Sequence, residues 1–323
     1  MNQLRAQFEN IPYPETSFKD QTVIVTGSNT GLGFEAAKHF TRLEAARVIL
    51  AVRSQAKGDA AKAAIESATG RNNAVQVWLL EMDKFDSIKA FAARCESLDR
   101  LDVVVANAGI AKMEFEETDG IESTIKVNVI GTFLLALSLF PTMRQSGHRT
   151  GQTPRLVITT SVLHNSAKFT ERTKPDIFKA LNSKATSNMK DRYNVSKLLE
   201  VMLVSSFSEA MKQGPNADKP VIINSVNPGL CHSELGRDLK GITGYMFSAL
   251  KAMMARTTEV GSRTLVHAGA SGEESNGQYL SECRVTKPSA FVRSKEGQDT
   301  TKRLHAELMT ILEQIQPGVT SRL

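Results

Sequence analysis

Tyr193 and Lys197 stand four positions apart in the run Tyr193-Asn194-Val195-Ser196-Lys197, a spacing that puts a phenol and an ammonium on one face of a helix. A free tyrosine ionises near pH 10, too high for efficient proton transfer at neutral pH, and a neighbouring cation lowers that value by favouring the phenolate. The pair therefore suits acid–base work, although the same spacing also describes two exposed helix residues. A second cluster, Thr26-Gly27-Ser28-Asn29-Thr30-Gly31-Leu32-Gly33, follows a β-branched run and opens a helical pattern. Glycines at such a junction let the backbone turn sharply and approach a pyrophosphate, which the helix N-terminus attracts. A third signal is Arg53, closing the next β-branched run about where a dinucleotide-binding fold holds an acid for the ribose 2′-hydroxyl, roughly 20 residues beyond the glycines. A guanidinium in place of that acid suits the 2′-phosphate of NADP; the plainer reading is a solvated turn residue.

These residues need elements to position them. β-branched runs at Thr22–Thr26, Arg47–Val52, Ala74–Leu80, Leu101–Gly109, Arg155–Ser161, Val221–Val226 and Gly277–Ser281 alternate with helical patterns. The helices are expected over Gly33–Leu43, Ala56–Ala68, Ser87–Glu96, Ile121–Phe140 and Thr300–Gln316. Several runs lack the polar alternation of surface strands, as happens when both sheet faces are buried. The predicted fold class is α/β: a doubly wound, Rossmann-like parallel sheet of about seven strands with helices on both faces and a ligand crevice at the strands' carboxyl ends. No Pro-, Gly- or Ser-rich linker divides the chain, so a short leader (1–20) and one dinucleotide-binding unit (21–323) are expected. Segments 162–191 and 230–256 exceed what the sheet needs and sit where such a fold places its ligand.

Composition narrows the function classes. The 323 residues carry a net charge of +6, but the 40 basic residues are spread along the chain without a block of like charge. Nucleic acid is therefore not an expected partner, and a mild positive potential toward an anionic cofactor is. Cys95, Cys231 and Cys283 are far apart, which supports neither a disulfide framework nor a zinc site, and no metal is expected. The N-terminus lacks the apolar core of a signal peptide. The most apolar stretch, Val127–Phe140, falls short of the roughly 20 residues that span a bilayer and reads as a buried helix of a soluble protein.

Taken together and in order, TGxxxGxG at Thr26–Gly33, Asn107-Ala108-Gly109, Asn128, Ser161, Tyr193-x-x-x-Lys197 and Asn227-Pro228-Gly229 resemble the short-chain dehydrogenase/reductase family. The single-domain subclass is the nearest, in particular its retinol-dehydrogenase-like branch and fungal NADP-dependent reductases, and the resemblance covers roughly residues 21–282. It implies that Tyr193 is the general acid in reduction and the base in oxidation, that Ser161 hydrogen-bonds the reacting oxygen, that Lys197 binds the nicotinamide ribose and depresses the tyrosine pKa, and that Asn128 holds a water in the proton relay. Gly27, Ser28, Asn29, Gly31, Leu32 and Gly33 would frame the pyrophosphate. Asn107 would line the adenine ribose, Glu81 (or Asp83 in a shifted register) would contact adenine, Ser233 would lie near the carboxamide, and Gly109, Pro228 and Gly229 would also bind the cofactor.

The expected activity is NADP(H)-dependent hydride transfer between nicotinamide and a carbonyl or secondary alcohol of a lipophilic small molecule. A non-redox isomerase or cyclase and an NADP-binding regulator on the same fold are the alternatives. The lipophilic substrate is suggested by the Met-bearing stretch Tyr245–Met254, which reads equally as core packing and, as a third reading, as a peripheral membrane contact. The segment from Ser161 to Tyr193 is longer than in the family's short forms and is expected to reshape the substrate entrance, and it would bear on any homodimer formed through the helices of Asn128 and Tyr193. His164 and His232 read as polar wall residues and Cys231 as a packing residue. The expected location is cytoplasmic. The alternative is peroxisomal, through the ending Ser321-Arg322-Leu323, which Pro317-Gly318 should leave as a free tail.

Overall fold

Strand β1 (Thr22–Thr26) illustrates why this sequence makes a sheet covered on both sides. Every residue in it is buried, and successive side chains enter different cores: Ile24 joins one, Val23 and Val25 the other. The computed structural model describes residues 3–218, 220–232, 252 and 254–323. Along the chain, α1 (Gln3–Gln7) precedes β1, α2 (Gly31–Arg42), β2 (Arg47–Val52), α3 (Gln55–Thr69), β3 (Val75–Leu79), α4 (Phe85–Cys95) and β4 (Val103–Ala106). A small hairpin, β5 (Glu117–Thr118) and β6 (Ile121–Glu122), leads through a π-helical turn (Lys126–Gly131) into α5 (Thr132–Thr150). Then come β7 (Arg155–Thr159), α6 (Ile177–Leu181), α7 (Met189–Gln213), β8 (Ile222–Asn227), α8 (Thr258–Ala270), β9 (Tyr279–Ser281), β10 (Arg284–Thr286) and α9 (Lys295–Ile315).

The main sheet has eight strands in the order β10-β9-β8-β7-β4-β1-β2-β3. All pairings are parallel except β9 with β10. The expected parallel sheet is therefore present, with one short antiparallel edge strand that the sequence pattern did not announce. β10 has only three residues, none buried, and so carries no apolar run to read. One core lies under α4, α5, α7 and α9, the other under α2, α3 and α8.

Helix α5 continues past Pro141, where the sequence pattern placed its end. Pro141 is exposed, and the residues after it, Met143 and Arg144, are buried, so packing offsets the lost backbone bond. Ser123–Thr150 is a continuous helical stretch of 28 residues, long and apolar enough to cross a bilayer by length and composition. It is longer than the sequence suggested, yet its whole apolar window is buried inside the molecule.

Two segments pack in ways the sequence pattern did not announce. The insertion between Ser161 and Tyr193 is not a loose loop but turns an apolar face into the core. Ile177, Phe178 and Leu181 pack into the core with Leu304, Leu308 and Leu312 of α9, and the Glu307 carboxylate accepts the Ile177 and Phe178 amides at 2.8 and 3.0 Å. Insertion and α9 together cover α7 and α5, where Ser206 meets His305 at 2.8 Å and Ser138 meets Gln316 at 3.2 Å.

The ending is not a free tail either. Val319 and Leu323 are buried in the core, and Arg144 donates to the Leu323 carbonyl at 2.8 Å and to that of Arg322. Pro317-Gly318 does end the helix, but the aliphatic side chains beyond it fold back, and a receptor reading Ser321-Arg322-Leu323 would have to withdraw Leu323 from the core. We expect Leu323→Ala to destabilise the fold by about 2–4 kcal/mol, as for other buried leucines. Urea denaturation checks this, and a wild-type midpoint in the variant would contradict the docked tail.

Candidate active site

The carboxyl ends of β1, β2, β3 and β4 enclose a cleft of about 410 Å³ lined by Gly27, Asn29, Thr30, Arg53, Ser54, Lys57, Glu81, Asp83, Asn107, Gly109 and Val127, among others. Gly27 and Gly31 take φ of +64°, the left-handed region that glycine enters without strain. A Cβ on Gly33 would lie 2.6 Å from the Gly27 carbonyl and from Asn107 Nδ2, so glycine there permits the tight approach of helix to strand. Thr30 begins α2 without a side-chain cap, so its first-turn amides point toward the cleft with no hydroxyl acceptor of their own.

Not every expected cofactor residue faces this cleft. Ser28 is fully buried and donates to the Val25 carbonyl at 2.8 Å, so its hydroxyl braces the turn and its side chain cannot frame a pyrophosphate. Leu32 packs against the core of α2, α3 and α8. Asn107 lines the cleft, but its amide donates to the Thr26 carbonyl at 3.0 Å and the Gly27 carbonyl at 3.4 Å, which makes it a staple of the glycine turn. Both Glu81 and Asp83 line the wall, and Lys84 holds the Glu81 carboxylate at 2.9 Å. Ser233 and most of Tyr245–Met254 lie outside the described residues.

At the phosphate end, two residues join Arg53. Ser54 caps α3, its hydroxyl accepting the Lys57 amide at 3.5 Å, and Lys57 brings a second cation to the same wall. The signal was available in the sequence: a Ser cap followed by Lys in the first turn, directly after Arg53. Two exposed cations beside a glycine turn and an uncapped helix N-terminus fit a dinucleotide carrying a 2′-phosphate. Arg53, Ser54 and Lys57 would hold that phosphate, and the Gly27–Gly33 turn the pyrophosphate.

At the inner end, α7 brings Tyr193, Lys197 and Ser196 against β7. Tyr193 is half-buried, and its hydroxyl lies beside that of Ser161, which follows β7. Burial, with the Glu200 carboxylate adding to it, pushes the phenol above its ordinary value, and the neighbouring Ser161 hydroxyl works against them. The expected depression by Lys197 is therefore not the net effect here. The ammonium lies 5.7 Å from the Tyr193 ring centre and is paired with Glu200 at 2.8 Å. Lys197 also donates to the Thr159 carbonyl at 2.9 Å.

Asn128 sits in the π-helical turn, and both ends of its side-chain amide are hydrogen-bonded. Its Oδ1 accepts the Ile110 amide at 2.9 Å, and its Nδ2 donates to the Ile110 carbonyl at 2.9 Å and to Ser196 at 3.0 Å. Through these bonds the amide fixes the loop after β4. π-turns recur at functional sites because they redirect backbone groups. A Cβ on Gly109 would fall 3.3 Å from Asn128 Oδ1 and 3.6 Å from Lys197 Nζ, within the space a ribose would need.

Asn227 and His164 set where Ser161 stands. Asn227 Oδ1 accepts both the Val162 amide at 2.9 Å and the Gly229 amide at 3.2 Å, tying the serine loop to the Pro228-Gly229 loop. His164 is buried, not a cleft wall: Nε2 accepts the Ser289 amide at 3.1 Å, so the proton is on Nδ1 and donates to the Ser161 carbonyl at 2.8 Å. His232 is exposed, and Cys231 is buried against the Pro228 carbonyl. Neither histidine approaches Tyr193 in any hydrogen bond described here.

Comparison with known proteins agrees with this geometry. Residues 21–170 match the short chain dehydrogenase family model. A short chain dehydrogenase/reductase of Cryptosporiopsis sp. is 47% identical over 320 residues, covering 97% of each chain. A short chain dehydrogenase of Emericella nidulans is 45% identical over 280 residues, covering 85% of this chain and 88% of the relative. The chain belongs to the short-chain dehydrogenase/reductase family. Among solved structures, an NADPH-bound carbonyl reductase from chicken fatty liver has a TM-score of 0.60 at 20% identity, covering 83% of this chain and 99% of its own. A short chain dehydrogenase from Shigella flexneri has a TM-score of 0.59 at 20% identity, covering 87% and 99%. These two share the fold.

Burial holds the pKa of His164 below its ordinary value, so the folded protein binds this proton less readily than the unfolded chain. Its effect on stability is therefore absent above the unfolded pKa of about 6.5 and grows as a loss on acidification, by up to about 1.4 kcal/mol per pH unit. His164→Asn should reduce the slope of unfolding free energy between pH 6.5 and 5 by this one histidine's share, leaving those of His39, His267 and His305 in place. An unchanged slope would show that His164 is not held neutral.

Proposed function

We propose that this chain is an NADP(H)-dependent oxidoreductase that moves a hydride between nicotinamide and the carbonyl or alcohol carbon of a small, mainly apolar molecule. One observation carries the reading: the adjoining hydroxyls of Ser161 and Tyr193, with Lys197 behind them, stand where Gly109 ends a cleft whose far end holds Arg53 and Lys57. The bound nicotinamide supplies or accepts the hydride. The protein's own part is acid–base and electrostatic. Ser161 and Tyr193 offer two hydroxyls to a carbonyl oxygen that gains negative charge, and Tyr193 delivers the proton in reduction or removes it in oxidation.

Arg53, Ser54 and Lys57 support the choice of NADP over NAD, since charge-assisted bonds to a phosphate dianion are strong. The carbonyl reductase of the same fold was solved with NADPH, but at 20% identity it lends the fold only. An apolar substrate is supported by Met113 and Leu163, large exposed apolar side chains on the loops that follow β4 and β7. Consumption of NADPH absorbance with a panel of carbonyls separates this activity from a non-redox rearrangement and from cofactor binding without turnover.

Two variants test the assignment. Tyr193→Phe should lower kcat by at least about 100-fold while NADPH still binds; near-normal turnover would remove Tyr193 from the chemistry. Arg53→Ala removes one charge-assisted contact of roughly 1.5–3 kcal/mol and should narrow the NADPH preference in kcat/KM by about tenfold or more. Equal kcat/KM for NADPH and NADH in the unaltered protein would contradict the phosphate site.

A further inference from the structure

Tyr193, Lys197 and Glu200 occupy positions i, i+4 and i+7 of α7 and therefore share one face of the helix. The Glu200 side chain is 3% exposed, and its Oε1 accepts from Lys197 Nζ at 2.8 Å. Its other oxygen, Oε2, is buried without a hydrogen-bond partner. The neighbouring Thr160 hydroxyl spends its proton on the Lys197 carbonyl at 3.0 Å. Stability alone does not ask for such a group, since exchanging a buried ion pair for apolar side chains of similar volume is often neutral or favourable. A carboxylate kept in this place, half unsatisfied, points to a role in what its partner lysine does.

We propose that Glu200 is the positioning residue of the catalytic lysine: with the Thr159 carbonyl it takes two of the ammonium's three protons and aims the third at the Gly109 loop, where the nicotinamide ribose is expected. This rests on the reading of Tyr193 and Lys197 given above. An ammonium has three rotatable donors on a flexible stem, so fixing two of them fixes the third. The same carboxylate has a second effect. Its charge largely cancels that of Lys197 and keeps the Tyr193 phenol protonated, the form that donates in carbonyl reduction.

The surroundings leave Lys197 as the charge that bears on Glu200. Burial raises the Glu200 carboxyl to about 7 against the pull of Lys197, so it is ionised in the alkaline range where a tyrosine titrates. From β7 the facing groups are the Thr159 carbonyl and the Thr160 hydroxyl, and from the π-turn the Asn128 amide approaches the Lys197 end; none of these is charged. The ionisable groups that other elements bring to α7 meet it elsewhere. His305 of α9 bonds Ser206, while Glu122 and Glu171 face Arg192.

The test uses the full-length protein and Glu200→Gln. Removing the negative charge makes the phenolate less unfavourable, so Tyr193 should ionise at lower pH. Two readouts follow. In the cofactor-free protein, tyrosinate absorbance at a fixed alkaline pH where the fold is retained, taken as the difference from the matching Tyr193→Phe protein, should rise in Glu200→Gln. In the active protein, the pH profile of kcat/KM for alcohol oxidation should move down by ~0.5–1 pH unit, the lower end of what one nearby charge does. Glu200→Asp, which keeps the charge, should keep the wild-type profile position. If the glutamine variant does not fold, Glu200→Met removes the charge without burying an amide, and the same downward movement is expected. If either readout stays at the wild-type position or moves upward, the proposal is overturned. If instead Tyr193→Phe turns over normally, the catalytic assignment itself has failed, which is a separate outcome.

Discussion

Helix α7 buries four charged side chains, Asp191, Arg192, Lys197 and Glu200, and the architecture around the site follows from the need to compensate them. Burying an unpaired charge costs several kcal/mol, so each finds a partner, on a neighbouring element or, for Glu200, on the helix itself. Asp191 accepts the Lys168 and Phe169 amides at 2.9 and 3.3 Å, and so fixes the start of the insertion. Arg192 reaches Glu171 at 3.2 Å and Glu122 at 3.6 Å, and Glu122 in turn caps the helical turn before the π-segment through the Thr124 and Ile125 amides. Lys197 takes the Thr159 carbonyl and Glu200. One helix is thereby locked to the insertion, to the approach of α5 and to β7. Tyr193 is held between these three anchorages, so its hydroxyl meets Ser161 without a dedicated tether of its own.

The same compensation explains how a reactive centre is held at the end of a sheet. Ser161 lies just beyond β7, where regular pairing has ended and backbone groups must find other partners. Asn227 takes the next amide in the chain and His164 takes the serine's own carbonyl. Neither touches a reacting atom, yet each removes a backbone freedom that would blur the distance between Ser161 and Tyr193. Asn128 does the same for the loop after β4, through its bonds to Ile110 and Ser196. The site is a set of short loops, each pinned by one buried asparagine or histidine.

Much of this was legible in the sequence because it depends on local pattern. Apolar runs such as Val23–Val25 and Ile222–Ile223 declare buried strands, and Gly27, Gly31 and Gly33 declare a turn that other residues would strain. Arg53 and the Tyr193/Lys197 spacing announce chemistry through residue type and position. What escaped is what depends on partners distant in the chain. Nothing around Ser28 says that its hydroxyl turns inward to Val25, and nothing around Asn107 says that Thr26 consumes its amide. Glu200 is different. It stands on the same helix face as Lys197 and was readable at i+3, but a Glu near a Lys on a helix is ordinarily a solvated pair. Only the burial of both distinguishes this one.

The insertion and the ending show how a strong local inference can fail when a large apolar face is nearby. Ile177, Phe178 and Leu181 in the insertion and Leu304, Leu308 and Leu312 in α9 are two partial stripes, neither able to form a core alone. Each covers the other, and together they cover α7 and α5, including Phe207, which packs against His305. Leu323 and Val319 extend the same stripe, so the last residues follow their aliphatic side chains inward and Arg144 satisfies the carbonyls that arrive with them. A segment inserted beside the cleft thus gains more apolar contact by turning away from it. The outcome is that α7, which carries Tyr193 and Lys197, is buffered on its outer side by the chain itself, with its inner side left to the cleft that Gly109 and Arg53 bound.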